Sequence, residues 1–199
     1  MLVSWNSYYC YILSSAPQYY SREGVFRMTE SAARSGLYLV FVCTGNICRS
    51  PMAEIIARDE MEKDMLDLVA TVDSCGLGGW HVGQGADPRA IAELRRGGHD
   101  GGSHRAAKLG PEHMDADLFI AMDKGHRDAL IERSIDPDKI RLMRSFDPNS
   151  PEDADVADPY YGSAADFETT RNNIEAAVPG LLDWIRAHHD LSLIHISEP

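Results

Sequence analysis

"LYLVFVCTGNICRSPMAE", residues 37–54, opens with an unbroken apolar run and closes at the start of a predicted helix. The run 37–42 has the length and partly β-branched composition of a strand that is buried on both faces. Ser50 is expected to cap the following helix, with Pro51 at the first helical position. The residues from Cys43 to Arg49 therefore connect the end of a central strand to the start of a helix.

Strands and helices alternate along the rest of the chain. Three further strands are predicted at 67–74, 117–123 and 139–146. Three further helices are predicted at 87–98, where Asp87 is the cap and Pro88 the first residue, at 124–134, and at about 166–188, where Pro179 should bend the helix. This order predicts one α/β domain with a mostly parallel sheet, helices on both faces, and ligands at the carboxyl ends of the strands.

Composition limits the functions that the chain can have. Its 31 acidic and 19 basic residues give a net charge of −12, which argues against a nucleic-acid or anionic-membrane surface. No run approaches the roughly 20 apolar residues of a membrane span. The four cysteines show no zinc-like spacing and are too few for a disulfide scaffold. We therefore expect no metal and a cytoplasmic location, although export without a signal peptide stays open.

Both ends of the chain differ from the predicted domain. Residues 1–27 show no clear periodicity and precede Met28, so we expect them to be a non-native upstream extension. The tail "LSLIHISEP", residues 191–199, is similar to the in-frame translation of a sequencing adapter. The expected domain is therefore 28–190.

The loop after the first strand has the chemistry of an anion site. A turn that leads into a helix directs unpaired N–H groups into one concavity, where the helix dipole adds about half a positive charge. Arg49 can offer two parallel hydrogen bonds to a phosphoryl group, and Gly45 relieves the backbone at the turn. The same field favours the thiolate form of a cysteine at position 43, and the thiolate is the nucleophile.

A long acidic segment, 147–164, offers a proton donor. If the thiolate attacks the phosphate ester of a tyrosine, the tyrosyl oxygen departs badly as an anion. That oxygen then needs a proton from a carboxyl group. The candidates are Asp147, Asp153, Asp155 and Asp158. Of these, Asp158 alone is followed by "PYYG", where Tyr160 and Tyr161 can form the walls of a slot for an aromatic ring. We therefore predict Asp158 as the acid.

The motifs "VCTGNICRSPMAE" and "DPYYG" resemble the phosphate loop and acid loop of the low-molecular-weight protein tyrosine phosphatases, over about residues 39–189. The segments "GGWHVG", "ADPRA", "HRAA", "MRSFDP" and "VPGLLDWI" look like the actinobacterial members. The resemblance implies a four-stranded parallel sheet of order 2-1-3-4, no metal or cofactor, and a cysteinyl-phosphate intermediate. It implies Cys43 as nucleophile, Arg49 as phosphate clamp, and Asp158 as acid and then base.

The resemblance also implies roles for surrounding residues. Phosphate would be held by Thr44, Gly45, Asn46, Ile47, Cys48 and Arg49. The loop would be supported by Asn46, Ser50, Ser74 and His104, with Ser50 as the partner of the thiolate. The substrate pocket would be lined by Ile47, Trp80, His81, Tyr160 and Tyr161. Cys48 matches a second loop cysteine that can bond the nucleophile upon oxidation, and the structural and redox interpretations of it stay open.

Three other functions compete with hydrolysis of phosphotyrosine in proteins. Arsenate reductases share the loop but need two further cysteines on a mobile segment, and none follows Cys75. Protein arginine phosphatases carry Thr where Ile47 stands and lack the second tyrosine. A non-catalytic phospho-ligand binding module would keep Arg49 while losing Cys43 or Asp158. We expect a monomeric enzyme that acts on phosphotyrosine-containing proteins.

Overall fold

The structure, a computed structural model, describes residues 36–194, with side chains up to residue 189. The expected extension 1–27 and the last part of the expected tail, 195–199, lie outside the described residues. Within the described range the elements are, in chain order, β1 (Leu37–Cys43), α1 (Arg49–Lys63), β2 (Ala70–Gly76), α2 (Pro88–Arg96), β3 (Leu118–Ala121), α3 (Lys124–Glu132), β4 (Ile140–Leu142) and α4 (Ala164–Ile194). Short 3-10 turns occur at Leu66–Leu68, Pro111–His113, Pro137–Lys139 and Met143–Phe146.

The four strands form one parallel sheet in the order β2-β1-β3-β4. This confirms the predicted α/β class and the strand order 2-1-3-4. Cys43 pairs in register with Gly76, and Val42 pairs with Ala121. The carboxyl ends of β1, β2 and β3 therefore meet at one edge of the sheet, where parallel α/β folds bind their ligands.

Both faces of the sheet are covered, as predicted. On one face Leu39 and Phe41 pack in a core with residues of α1, α2 and α4. On the other face Val40 and Val42 pack with Leu130 of α3. All four β1 side chains are fully buried, and each contributes roughly 1.5–3 kcal/mol relative to exposure. The apolar run at 37–42 is thus the centre of the sheet.

Two predicted strands differ from the structure by three or more residues at one end. β2 begins three residues late, because Met65 adopts a left-handed backbone (φ 57°) and Leu66–Leu68 form a 3-10 turn. The predicted strand 139–146 is extended only at β4 and then becomes the turn Met143–Phe146. Local apolar composition does not distinguish an extended segment from such a buried turn.

The two predicted helix caps have different outcomes. Asp87 caps α2 as predicted, because its carboxylate accepts a hydrogen bond from the backbone N of Arg89 at 2.8 Å. The prediction of Ser50 as a cap is wrong. Helix α1 begins at Arg49, and Cys48 stands at the cap position without a side-chain hydrogen bond. The hydroxyl of Ser50 bonds the sulfur of Cys43 instead.

Helix α4 is longer than predicted and continues through Pro179. Residues 191–194 of the expected tail extend the same helix. The next residue, Gly180, allows a close approach to the turn Met143–Phe146, since a Cβ built there would lie 2.1 Å from the carbonyl oxygen of Phe146. Glycine at this position therefore sets how closely the last helix packs.

Replacing Gly180 by alanine should lower the stability of the fold. Alanine in a helix interior is ordinarily favoured over glycine by about 1 kcal/mol, but a clash with backbone costs about 1–3 kcal/mol because neither side can rotate away. We expect a lower urea midpoint for Gly180→Ala. The control is Gly85→Ala, whose Cβ would lie 4.0 Å from the nearest atom, the oxygen of His104. An unchanged or higher midpoint for Gly180→Ala would contradict this packing argument.

Candidate active site

Cys43 is the last residue of β1 and lies at the carboxyl edge of the sheet. Its side chain is almost fully buried. Two donors converge on its sulfur: the backbone N of Asn46 at 3.2 Å and the Oγ of Ser50 at 2.9 Å. The loop 44–48 thus curls around the sulfur before α1 begins.

Asn46 holds the loop in this shape. Its backbone is left-handed, with φ 57°, and its side chain is completely buried. Its Nδ2 donates to Ser50 Oγ at 2.9 Å and to Ser74 Oγ at 2.8 Å, while its Oδ1 accepts from the N of Ala107 at 2.7 Å. The Nε2 of His104 lies 2.8 Å from the Asn46 carbonyl oxygen. The four residues predicted to support the loop therefore meet in one network.

Glu54 completes this network and was missed by the sequence prediction. It is buried on α1 and accepts hydrogen bonds from Ser74 Oγ and from the guanidinium of Arg58. Its carboxylate also lies 3.9 Å from His104 Nδ1. A glutamate on a helix usually faces solvent, so composition gave no reason to select it. Its spacing of four residues from Ser50, which places both on one helix face, was the available signal.

Arg49 is buried and lies between two carboxylates. Its Nη1 donates to Asp123 Oδ2 at 2.7 Å and to the Val156 carbonyl at 3.1 Å. Its Nη2 donates to Asp158 Oδ2 at 2.9 Å and to Thr44 Oγ1 at 3.3 Å. The structure therefore brings the predicted clamp and the predicted acid into direct contact.

Asp123 was also missed. It follows β3 and caps α3, accepting from the backbone N of His126 at 2.8 Å. Burial opposes its ionisation, but the hydrogen bonds from His126 and Arg49 hold the pKa of Asp123 well below its usual range. The Nε2 of His126 in turn lies 2.9 Å from Thr44 Oγ1 in the loop. An acid at the carboxyl end of a predicted parallel strand was the signal that could have identified it.

A cavity of about 250 Å³ opens above the loop. It contains the predicted nucleophile, clamp and acid, together with all five predicted pocket residues. The residues that line it are Cys43, Thr44, Gly45, Ile47, Cys48, Arg49, Trp80, His81, Asp158, Tyr160 and Tyr161. Cys43 is 3% exposed, whereas Trp80 is 71% and Tyr161 97% exposed. The cavity therefore has a polar floor and an aromatic rim, on which the rings of Tyr160 and Tyr161 meet edge to face at 4.9 Å.

Cys48 and Cys75 are buried thiols near the site. Burial, with the negative charge of Asp87, raises the pKa of Cys48 to about 12. Cys48 is therefore protonated near neutral pH, and its redox role stays a prediction. Burial raises the pKa of Cys75 still further, and its side chain belongs to the core on the opposite face of the sheet from Cys43.

A larger cavity, of about 460 Å³, lies between α1 and α4. It has no cysteine in its lining, and its carboxylates are already paired: Arg186 bonds Asp64 and Asp183, and Arg171 bonds Glu175. The smaller cavity is therefore the candidate site, because it combines a nucleophile, a buried cation and a carboxyl group.

Metal ligands and membrane spans were searched over the described residues. There, no group of three or more His, Cys, Asp or Glu side chains could hold a metal ion. None of the helices in that part of the chain is long and apolar enough to cross a membrane.

Replacing Gly76 by alanine should displace the loop. A Cβ at this position would lie 2.9 Å from the backbone C of Gly45, 3.0 Å from Thr44 O and 3.1 Å from Asn46 N. Because misplacing a site by about 1 Å can cost 10²-fold, we expect Gly76→Ala to weaken binding of inorganic phosphate at least about tenfold. Calorimetric titration with phosphate measures this, with Gly85→Ala as control. Equal affinity in the two variants would show that the loop does not depend on this contact.

Comparisons with known proteins agree with this geometry. A family model described as low molecular weight phosphotyrosine protein phosphatase matches residues 38–191. The chain is 47% identical over 150 residues to low molecular weight protein-tyrosine phosphatase A of Mycobacterium tuberculosis, covering 75% of this chain and 91% of that protein. It is 46% identical over 153 residues to the low molecular weight protein-tyrosine-phosphatase of Streptomyces coelicolor, covering 73% and 92%.

Solved structures agree with the same grouping. The crystal structure of YfkJ from Bacillus subtilis is similar with a TM-score of 0.71 and 33% identity, covering 78% of this chain and 98% of that one. The strand order, the loop around Cys43 and the sequence matches all lead to one assignment. The chain belongs to the low molecular weight phosphotyrosine protein phosphatase family and is of its actinobacterial type.

Proposed function

We propose that this chain hydrolyses phosphotyrosine in proteins through a phosphocysteine intermediate on Cys43. The observation that carries the proposal is the shared cavity of three groups: the Cys43 sulfur, the Arg49 guanidinium and the Asp158 carboxyl group. Family membership supports the reaction class, a cysteine-dependent hydrolysis of phosphate monoesters. The roles of the individual residues are our proposal.

In the first step the Cys43 thiolate attacks phosphorus, so that an S–P bond forms and the ester P–O bond breaks. The loop N–H groups, the N-terminus of α1 and the Arg49 guanidinium bind the phosphoryl oxygens. Asp158 gives its proton to the departing tyrosyl oxygen. The products of this step are tyrosine, phosphocysteine and an ionised Asp158.

In the second step water replaces the sulfur. Asp158 takes a proton from the water, whose oxygen attacks phosphorus while the S–P bond breaks. The electron pair returns to Cys43, which leaves as a thiolate, and the hydroxyl of Ser50 donates to it across 2.9 Å. Inorganic phosphate then departs, and Asp158 has recovered its proton.

The two carboxylates that contact Arg49 bond different nitrogens of its guanidinium. Asp123 and the Val156 carbonyl hold Nη1, whereas Asp158 and Thr44 contact Nη2. A phosphoryl dianion that binds Nη2 displaces the Asp158 carboxylate, which is 48% exposed, takes up a proton from solvent and moves toward the leaving oxygen. Asp123 thus keeps the guanidinium in place while Asp158 changes from partner of Arg49 to partner of the substrate.

The aromatic rim supports phosphotyrosine as the substrate. Cys43 is buried in a cavity whose lining includes the exposed rings of Tyr160, Tyr161 and Trp80. The phenyl ring of phosphotyrosine offers an apolar surface to these rings and carries its phosphoryl group farther from the backbone, whereas the side chains of phosphoserine and phosphothreonine are short and have no ring.

The alternative functions receive less support. Cys75, the further cysteine among the described residues, is buried in β2 and cannot serve as a cysteine on a mobile segment of an arsenate reductase. Ile47 lines the cavity where arginine phosphatases carry threonine, and both rim tyrosines are in place. A monomeric state and a cytoplasmic location remain part of the proposal.

Cys43→Ser should abolish turnover and keep phosphate binding. The serine hydroxyl is not ionised near neutral pH, whereas the loop N–H groups and Arg49 are unchanged. The measurement is phosphate release from a phosphotyrosine peptide and from a phosphoarginine peptide, with calorimetric binding of phosphate as the check on folding. Equal turnover by wild type and variant would refute the mechanism, and preference for phosphoarginine would assign the chain to the alternative class.

Asp158→Asn should slow the release of poor leaving groups most. An amide cannot donate the required proton, so we expect a loss of about 10²–10⁴ in kcat/KM for phenyl phosphate. The loss for p-nitrophenyl phosphate should be smaller, because p-nitrophenolate leaves readily as an anion. Asp153→Asn is the control in the same loop, since Asp153 is exposed and asparagine tolerates its φ of 53°. Equal losses for the two esters would argue against Asp158 as the acid.

A further inference from the structure

Arg89, the second residue of α2, joins the start of that helix to the segment that follows Asp158. Its Nη2 donates to the carbonyl oxygen of Tyr160 at 2.9 Å, and its Nη1 donates to that of Gly162 at 3.3 Å. The same guanidinium bonds both carboxylate oxygens of Asp87, through Nε at 3.0 Å and Nη2 at 2.7 Å. Every guanidinium nitrogen is therefore used.

Asp87 connects this contact to the phosphate loop. Its side chain caps α2, and its backbone N donates to the carbonyl oxygen of Ile47 at 2.8 Å. Hydrogen bonds from Arg89 lower the pKa of Asp87 below its ordinary value, so the carboxylate is ionised near neutral pH. The start of α2 thus bonds the phosphate loop on one side and, through Arg89, the acid loop on the other.

Two aromatic rings lie against the Arg89 guanidinium. Its central carbon lies 4.7 Å from the centre of the Phe167 ring and 5.8 Å from that of Tyr160. Phe167 is fully buried in the core and belongs to α4. A planar cation that packs against a buried ring has few alternative orientations, so its hydrogen bonds to the acid loop have a defined direction.

The Asp158 carboxyl group is bonded to the same residue whose backbone Arg89 holds. Its Oδ1 accepts a hydrogen bond from the backbone N of Tyr160 at 3.2 Å. Arg89 bonds the carbonyl oxygen of that same residue, so both polar backbone groups of Tyr160 have a partner. A shift of the Tyr160 backbone would therefore move the carboxyl group that we propose as the acid.

We infer that Arg89 is a positioning residue for Asp158, and that it acts by fixing the backbone of the acid loop against α2. The inference rests on the proposed function, in which Asp158 protonates the leaving oxygen. Lysine cannot replace this arginine, because one ammonium group cannot bond Asp87 and two carbonyl oxygens in fixed directions.

The test measures kcat/KM of Arg89→Ala and Arg89→Lys with two esters. For phenyl phosphate, which needs the acid, we expect both variants to lose about 10- to 100-fold. For p-nitrophenyl phosphate we expect a loss of less than about threefold, since that ester depends less on general-acid catalysis. Inhibition by inorganic phosphate should stay within about threefold of wild type, because the phosphate loop is unchanged. Arg95→Ala, an exposed arginine on the same helix, is the control and should change neither ester.

The double variant Arg89→Ala with Asp158→Asn shows whether Arg89 acts through the acid. If it does, Arg89→Ala causes no further loss on phenyl phosphate once Asp158 is absent. Losses that multiply in the double variant, or equal losses for the two esters in Arg89→Ala, would overturn the inference. If Asp158 is not the acid, Asp158→Asn alone will lower kcat/KM equally for the two esters. Failure of the proposed function is therefore distinguishable from failure of this inference.

Discussion

The left-handed backbone of Asn46 is the constraint on which the site depends. Asparagine adopts this region more readily than other residues with a Cβ, and the hydrogen bonds of its side chain then hold the loop in that conformation. Here the buried Asn46 amide bonds Ser50, Ser74 and the N of Ala107. Because these partners come from α1, β2 and the segment after α2, the loop takes its shape only when the sheet and its helices have assembled.

For the binding of an anionic substrate, the charge close to the cavity matters more than the net charge of the protein. A chain with a net charge of −12 is a poor general partner for a phosphate dianion. At physiological ionic strength, however, exposed charges beyond about 8 Å are largely screened. Arg49 is buried beside the cavity and is held by Asp123, so its charge acts at short range. The acidic surface therefore does not prevent an anion site at the carboxyl edge of the sheet.

The same edge brings together two loops that lie far apart in the chain. Arg49 and Asp158 are 109 residues apart and yet form an ion pair. The start of α2 contacts both loops, through Asp87 on Ile47 and through Arg89 on Tyr160. The aromatic rim, in contrast, is highly exposed at Trp80 and Tyr161, which leaves apolar surface available for a ring of the substrate. Hydrogen bonds thus hold the floor of the cavity, and the side chains of its rim are exposed.

The sequence by itself determined the elements that short-range physics controls. The apolar run before Cys43, the connection from that strand to the helix at Arg49 and the Asp87 cap are local signals, and the structure contains each of them. The tyrosines after Asp158 line the cavity. Tertiary structure alone decided the bonds of Ser50, Glu54, Asp123 and Arg89. Arg49 meets Asp123 across 74 residues, and Arg89 meets Tyr160 across 71. Such pairs depend on which strand ends are adjacent and on which polar side chains are buried among them, and hydrophobic periodicity reports neither strand adjacency nor buried polar contacts.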